Sequence, residues 1–287
     1  MLLVERGGDI EPKVVKEFRE LIQKLASNLV KQTPPVQVIL FRTKEEYINH
    51  LKEINEKLWT QLRIRIPIEN IQKDIFYYGW DLPQILINLE DVEKYEREVL
   101  DIELLMNLTH LIIHKSPSYY IIPLPEDWKD LERLMNFNRK VIDTSFYLAC
   151  EGVRDYEAMR FLITKIEDYS RLIRYAEWVL EKYSLKDISW KTILQSKPLT
   201  FIILLDLFRG LASIAPVLEV FAPKKLIAKQ TQILNRLPIY IKNDFSWIVT
   251  EFLPRLGNNT ARNITLTTEE ILANLIPGFM RMRNFLI

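Results

Sequence analysis

Pro34-Pro35-Val36-Gln37-Val38-Ile39-Leu40-Phe41 decides the fold class of this chain. Two prolines end a preceding helix, because proline lacks the N–H that a helix interior needs. The residues after them are β-branched or bulky at all but one position, which reads as a strand. Upstream, Glu11 to Lys31 repeats apolar residues at Val14, Val15, Phe18, Leu21, Ile22, Leu25 and Leu29, a helical period. Downstream, Thr43-Lys44-Glu45-Glu46 has the form of a capping box, opening a second helix towards Trp59. Leu62-Arg63-Ile64-Arg65-Ile66 alternates strictly, as a half-buried strand does. After Asp81-Leu82-Pro83, Gln84-Ile85-Leu86-Ile87-Asn88-Leu89 is a further strand candidate. Helices and strands therefore mix over roughly the first 95 residues, an α+β pattern.

Helix dominates the rest. Val92 to His114 reads as one helix, with Pro117 and Pro123 marking the loop after it. Trp128 to Thr164 reads as helical with room for one break. From Glu167 onward every pattern is helical, punctuated by Pro198, Pro216, Pro223, Pro238, Pro254 and Pro277. Thr267-Thr268-Glu269-Glu270 reads as a capping box for the last helix. A composition shift near residue 165 sets the expected division: an α+β domain over 1–164, with a short sheet and long helices, then an all-helical domain over 165–287.

Composition excludes several classes. With 287 residues, 48% hydrophobic and 27% charged, the chain has material for a real core, and neither disorder nor a fibrous repeat fits. A net charge of +1 gives no electrostatic reason to expect nucleic acid or an anionic membrane as partner. Lys224, Lys225, Lys229 and Arg236 read as a solvated helix face. Leu199 to Phe221 is the most apolar stretch, but Asp206, Arg209 and Glu219 within it are costly in a bilayer, so it reads as a buried helix of a soluble protein. The lone Cys150 excludes an intrachain disulfide and fits a reducing cytoplasm, and no signal peptide is read at Met1–Arg6. Seven glycines among abundant Ile, Leu, Lys, Arg and Glu lean towards a thermophilic source. Neither a Gly-rich phosphate loop nor a Gly-x-Ser-x-Gly elbow occurs. Tyr77-Tyr78-Gly79-Trp80 reads either as the lining of a groove or as a turn with partly buried aromatics.

Two of the three histidines fall in His110-Leu111-Ile112-Ile113-His114. At about 100° per residue, His114, Asn107 and Glu103 lie within roughly 60° of His110, one narrow polar stripe on a helix otherwise apolar. Such a helix is largely buried, and its stripe faces either solvent or a cleft. On a cleft, His110 and His114 are one turn apart and would hold one metal ion. A second pair, Glu151 and Asp155, lies on another helix within an arc of Val141, Leu148, Ala158, Met159 and Leu162. Carboxylates there need partners. Metal ligation by Glu151, with Asp155 bonded to the outer nitrogen of a ligating histidine, meets that need. Ion pairing with Arg154, Arg160 or Arg139 meets it equally, without a metal.

His-x-x-x-His on an apolar helix, followed by Glu-x-x-x-Asp on a later one, resembles the gluzincin branch of the zincin metallopeptidases, with cytoplasmic archaeal zincin-like proteins as the nearest company. The resemblance covers Gln84 to Leu162. It implies a zincin-like fold for the first domain and Zn2+ as metal. It also implies that His110, His114 and Glu151 are the ligands and Asp155 the carboxylate behind them. The chain departs at Leu111, where the family has the glutamate that takes the proton from metal-bound water. The resemblance therefore implies no catalytic residue, and a pseudo-peptidase that binds a peptide or protein partner in the old substrate cleft. Two alternatives stand beside it: a metal-dependent hydrolase with an unconventional base, drawing on Tyr119, Tyr120, Tyr147 or Tyr156 for an oxyanion, and a metal-free helical interaction protein.

Overall fold

The structure is a computed structural model that describes residues 2–31, 34–62, 67, 73, 75–78, 83–116, 119–120, 122–184 and 193–281. It is an α+β fold with long helices. The chain divides into two compact units: Met1–Ile122 with Thr164–Arg171, and Pro123–Ile163 with Leu172–Ile287. Residues 123–163 thus group with the helical unit, which differs from the expected division at 164/165.

The first unit is built on four strands: β1 (Leu2–Arg6), β2 (Val36–Phe41), β3 (Ile75–Tyr78) and β4 (Gln84–Asn88), in sheet order β1-β2-β4-β3. Strands β1, β2 and β4 are parallel, with Val4 opposite Val38 and Val38 opposite Ile85; β3 runs antiparallel to β4, with Phe76 opposite Leu86. Central parallel strands are covered on both faces and so read as unbroken apolar runs. Val38, Leu40, Ile85, Leu86 and Ile87 are accordingly buried. Helices α1 (Pro12–Leu29) and α2 (Lys44–Leu62) follow β1 and β2. The capping box forms: Thr43 Oγ1 accepts the Glu46 N–H at 3.2 Å, and the Glu46 carboxylate accepts the Thr43 N–H at 3.1 Å. β1 and β3, of five and four residues, are additional to the strands expected from sequence. Residues 63–66 of the expected second strand, with Gly79 and Trp80 of the aromatic run, lie outside the described residues.

The expected helix from Val92 to His114 is two helices, α3 (Leu89–Val92) and α4 (Arg97–Ile113), separated by a turn. Buried Asp101 on α4 pairs with Arg97 at 2.9 Å and Arg171 at 3.3 Å, which ties the Thr164–Arg171 segment into this unit.

The second unit contains α5 (Glu126–Lys129), α6 (Leu131–Met135), α7 (Arg139–Ile163) and, from Leu172, helix α8 (Tyr169–Ser184). It continues with α9 (Lys197–Phe221), α10 (Lys224–Asn235), α11 (Ile239–Trp247) and α12 (Thr260–Arg281). The stretch from Trp128 is interrupted twice rather than once, at Asp130 and at Asn136, whose φ of 56° is left-handed, a conformation asparagine tolerates. Helices α7 and α9 form the core pair. At their crossing a Cβ on Gly152 would lie 2.6 Å from the Phe208 ring and 3.2 Å from the Arg209 Cα, so only glycine permits this approach. Gly210 is packed against the Tyr183 ring in the same way. Among the described residues α9 is the one helix long and apolar enough to cross a membrane, and it is mostly buried inside the fold.

Proline reads unevenly. Pro198, Pro223 and Pro238 sit at helix starts, where a missing N–H costs little, but Pro216 and Pro277 lie inside α9 and α12. The capping box expected at Thr267-Thr268 is also corrected. Both threonines are buried in the middle of α12, which is capped instead by Asn259 Oδ1 accepting the Arg262 N–H at 3.0 Å.

The basic run on α10 is paired with acids on α8: Lys225 meets Glu177 at 2.7 Å, and Lys229 meets Glu177 and Glu181 at 3.3 and 3.2 Å. Hydrogen bonds from Lys225 and then Lys229 pull the Glu177 carboxyl from 4.5 down to about 2. A depressed acid stabilises the fold above its unfolded value, and that contribution is lost as pH falls from 4.5 towards 2. Glu177→Gln should cost about 0.5–1 kcal/mol at neutral pH. It should also flatten the acid limb of thermal stability over that window, as measured by circular dichroism melts.

Candidate functional site

The histidines belong to the α+β unit. His110 and His114 are 5% and 0% exposed and Asn107 is buried with them, while Glu103 at the other end of the stripe is half-buried. His110 Nδ1 and His114 Nδ1 are 2.8 Å apart, with ring centroids at 5.1 Å. One ring must hold a proton on Nδ1 and the other present a lone pair, so the two satisfy one another. Asn107 donates its side-chain N–H to the Glu103 carbonyl at 2.8 Å. The approach of the rings has a backbone cause. His114 has left the helix, with φ −111° and ψ 37°, while its N–H still bonds the His110 carbonyl at 2.8 Å. Tyr119 stands edge-on to the His114 ring at 6.0 Å. Leu111 is 1% exposed, a core side chain on α4.

The carboxylates belong to the helical unit. Glu151 is buried, and both its oxygens are engaged: Oε1 accepts the Tyr147 hydroxyl at 3.0 Å, and Oε2 accepts Arg209 Nη1 at 3.2 Å. Arg209, itself buried, donates from Nη2 to Asp206 Oδ1 at 2.7 Å. The Tyr183 hydroxyl donates to the Asp206 carbonyl at 2.8 Å. Burial alone would depress the guanidinium. Asp206, Tyr183, Glu151 and Asp155 outweigh it and hold Arg209 well above its ordinary value, so it stays charged. Burial, then the charge of Glu151, pushes the Tyr147 hydroxyl up and keeps it a donor. Burial pushes the Cys150 thiol up to about 12, which makes it an inert core residue rather than a nucleophile.

The sequence located the need of Glu151 for a partner but did not name Arg209 among the candidates. Of the three arginines considered, Arg139 pairs with Asp143 at 2.8 Å, and Arg160 donates to the carbonyls of Leu256 and Gly257 at 2.6 Å each. Arg154 stacks on the Tyr147 ring at 5.9 Å. Arg209 counted in sequence only as a bar to membrane crossing. A signal was nevertheless present: a cation in an apolar helix needs an anion, as Glu151 needs a cation.

The structure brings His110 and His114 together and places Glu151 and Asp155 on one helix, with the two pairs in different units. Zinc at about 2.1 Å from two nitrogens of a tetrahedral site would set those nitrogens roughly 3.4 Å apart, wider than the 2.8 Å between the two Nδ1 atoms. Glu151 is neutralised by an arginine. Among the described residues no group of three or more His, Cys, Asp or Glu side chains is arranged to hold a metal ion. As arranged, Glu151 is held by Arg209 and Tyr147 rather than presented to a metal. In comparisons of the chain with known protein families, curated proteins and solved structures, no match was found.

Proposed function

We propose that this protein is a cytoplasmic, non-hydrolytic relative of the zincin peptidases that acts by binding a peptide or protein. The observation that carries this reading is Leu111. The position where a zincin keeps its water-activating glutamate holds a leucine that is 1% exposed, so neither a base nor room for attacking water is offered there. The order of elements supports the relationship, since strand β4 leads to the histidine helix α4 and then to the carboxylate helix α7. The pairing of Glu151 with Arg209 favours a metal-free form of the protein. Strand β3 suits an extended peptide. Among the described residues it pairs only with β4, and an outer strand edge offers backbone donors and acceptors to an added strand.

The test is a peptide library incubated with the purified protein, with and without chelator. Retention of a subset of peptides, recovered uncut, is the expected result. Chelator-sensitive cleavage would make the chain an active hydrolase and overturn the reading.

A further inference from the structure

We infer that Arg209 supplies to the buried carboxylate Glu151 the positive charge that a zinc ion supplies in the peptidases this chain resembles. The inference rests on the zincin-like reading for the comparison with zinc, and on the helical unit alone for its geometry. A ligating glutamate gives an oxygen lone pair to a dication. Here Glu151 Oε2 faces Arg209 Nη1 at 3.2 Å, with both side chains buried, and Oε1 is held by Tyr147.

The cation is built in by the backbone. Gly152, the residue after Glu151, has no Cβ, and a Cβ there would lie 3.2 Å from the Arg209 Cα. The missing side chain is what lets α9 bring its guanidinium against the carboxylate. A guanidinium has five N–H donors in a fixed fork and stays charged at any working pH. One nitrogen serves Glu151 and the other Asp206 at 2.7 Å, while Asp155 lies within the field of the same cation. An ion can leave and a chelator can take it, whereas a side chain cannot be removed. The counter-charge to Glu151 is therefore permanent.

Thermal unfolding of the full chain tests this with wild type, Arg209→Met, Glu151→Gln and the double variant, each with EDTA and with added zinc. EDTA should leave the wild-type Tm unchanged. Arg209→Met should lower the transition of the helical unit by roughly 6–20 °C. Glu151→Gln added to Arg209→Met should recover part of that loss, because it removes the buried negative charge that Arg209 faces. If Arg209→Met alone does not fold, a double variant that does fold is the same result in stronger form. A wild-type Tm that falls in EDTA and returns with zinc would overturn the inference, as would additive effects of the two substitutions. Peptide cleavage is a separate readout, so failure of the binding-protein reading would be seen in that assay and not in this one.

Discussion

Leu111→Glu should cost the α+β unit about 3–5 kcal/mol and create no peptidase. Restoring the letter of a zincin motif does not restore its environment. Leu111 is 1% exposed, and its neighbours on α4, Leu104, Leu105 and Leu108, are buried with it. A carboxylate placed there would lose its hydration without gaining a designed partner, and it would be held protonated at neutral pH, the wrong form for a general base. Leu111→Met, which keeps the volume and stays apolar, should cost less than about 1.5 kcal/mol. Urea unfolding of the two variants separates a charge effect from a packing effect. A stable Leu111→Glu protein that cleaved peptides and lost that activity to chelator would show that the position borders a working cleft.

Arg209→Met should cost the helical unit a similar amount, about 3–5 kcal/mol, because it removes one partner of a buried ion pair and leaves the other charged. The comparison that isolates the charge is Tyr147→Phe. It removes only the hydroxyl that bonds Glu151 at 3.0 Å and should cost about 1 kcal/mol. Both are read from denaturant midpoints at constant m. Equal losses for the two variants would mean that the guanidinium contributes no more than an ordinary hydrogen bond.

The α+β character was legible because the central strands are buried on both faces. Runs such as Val36 to Phe41 and Ile85 to Ile87 advertise that without any neighbour being known. The outer strands were not legible: β1 ends in the charged Glu5 and Arg6 and β3 is four residues long, so neither presents a long apolar run. Caps divided on the same ground. Thr43 and Glu46 form their box, but Thr267 and Thr268 offer the same letters in the middle of α12, where helix continuation and burial prevail.

At the site, helical projection gave faces correctly and neighbours poorly. It placed Glu151 in an apolar arc in need of a counter-charge, yet Arg209 is 58 residues away in sequence, beyond anything periodicity reports. The polar stripe of α4 left solvent and cleft both open, with the carboxylate helix favouring the cleft. Burial of both rings rules against solvent, and their mutual hydrogen bond lets two imidazoles be buried at little cost. That mutual satisfaction depends on His114 leaving the helix, which a projection at constant angle does not contain.

The most direct measurement is zinc stoichiometry. The protein, purified without chelators, would be assayed by mass spectrometry for bound metal and then titrated with zinc by calorimetry, alongside His114→Ala. With Glu151 neutralised by Arg209 and the histidine rings bonded to each other, the expected result is far below one zinc per chain and no tight binding in the titration. One zinc per chain, held tightly and lost in His114→Ala, would contradict it.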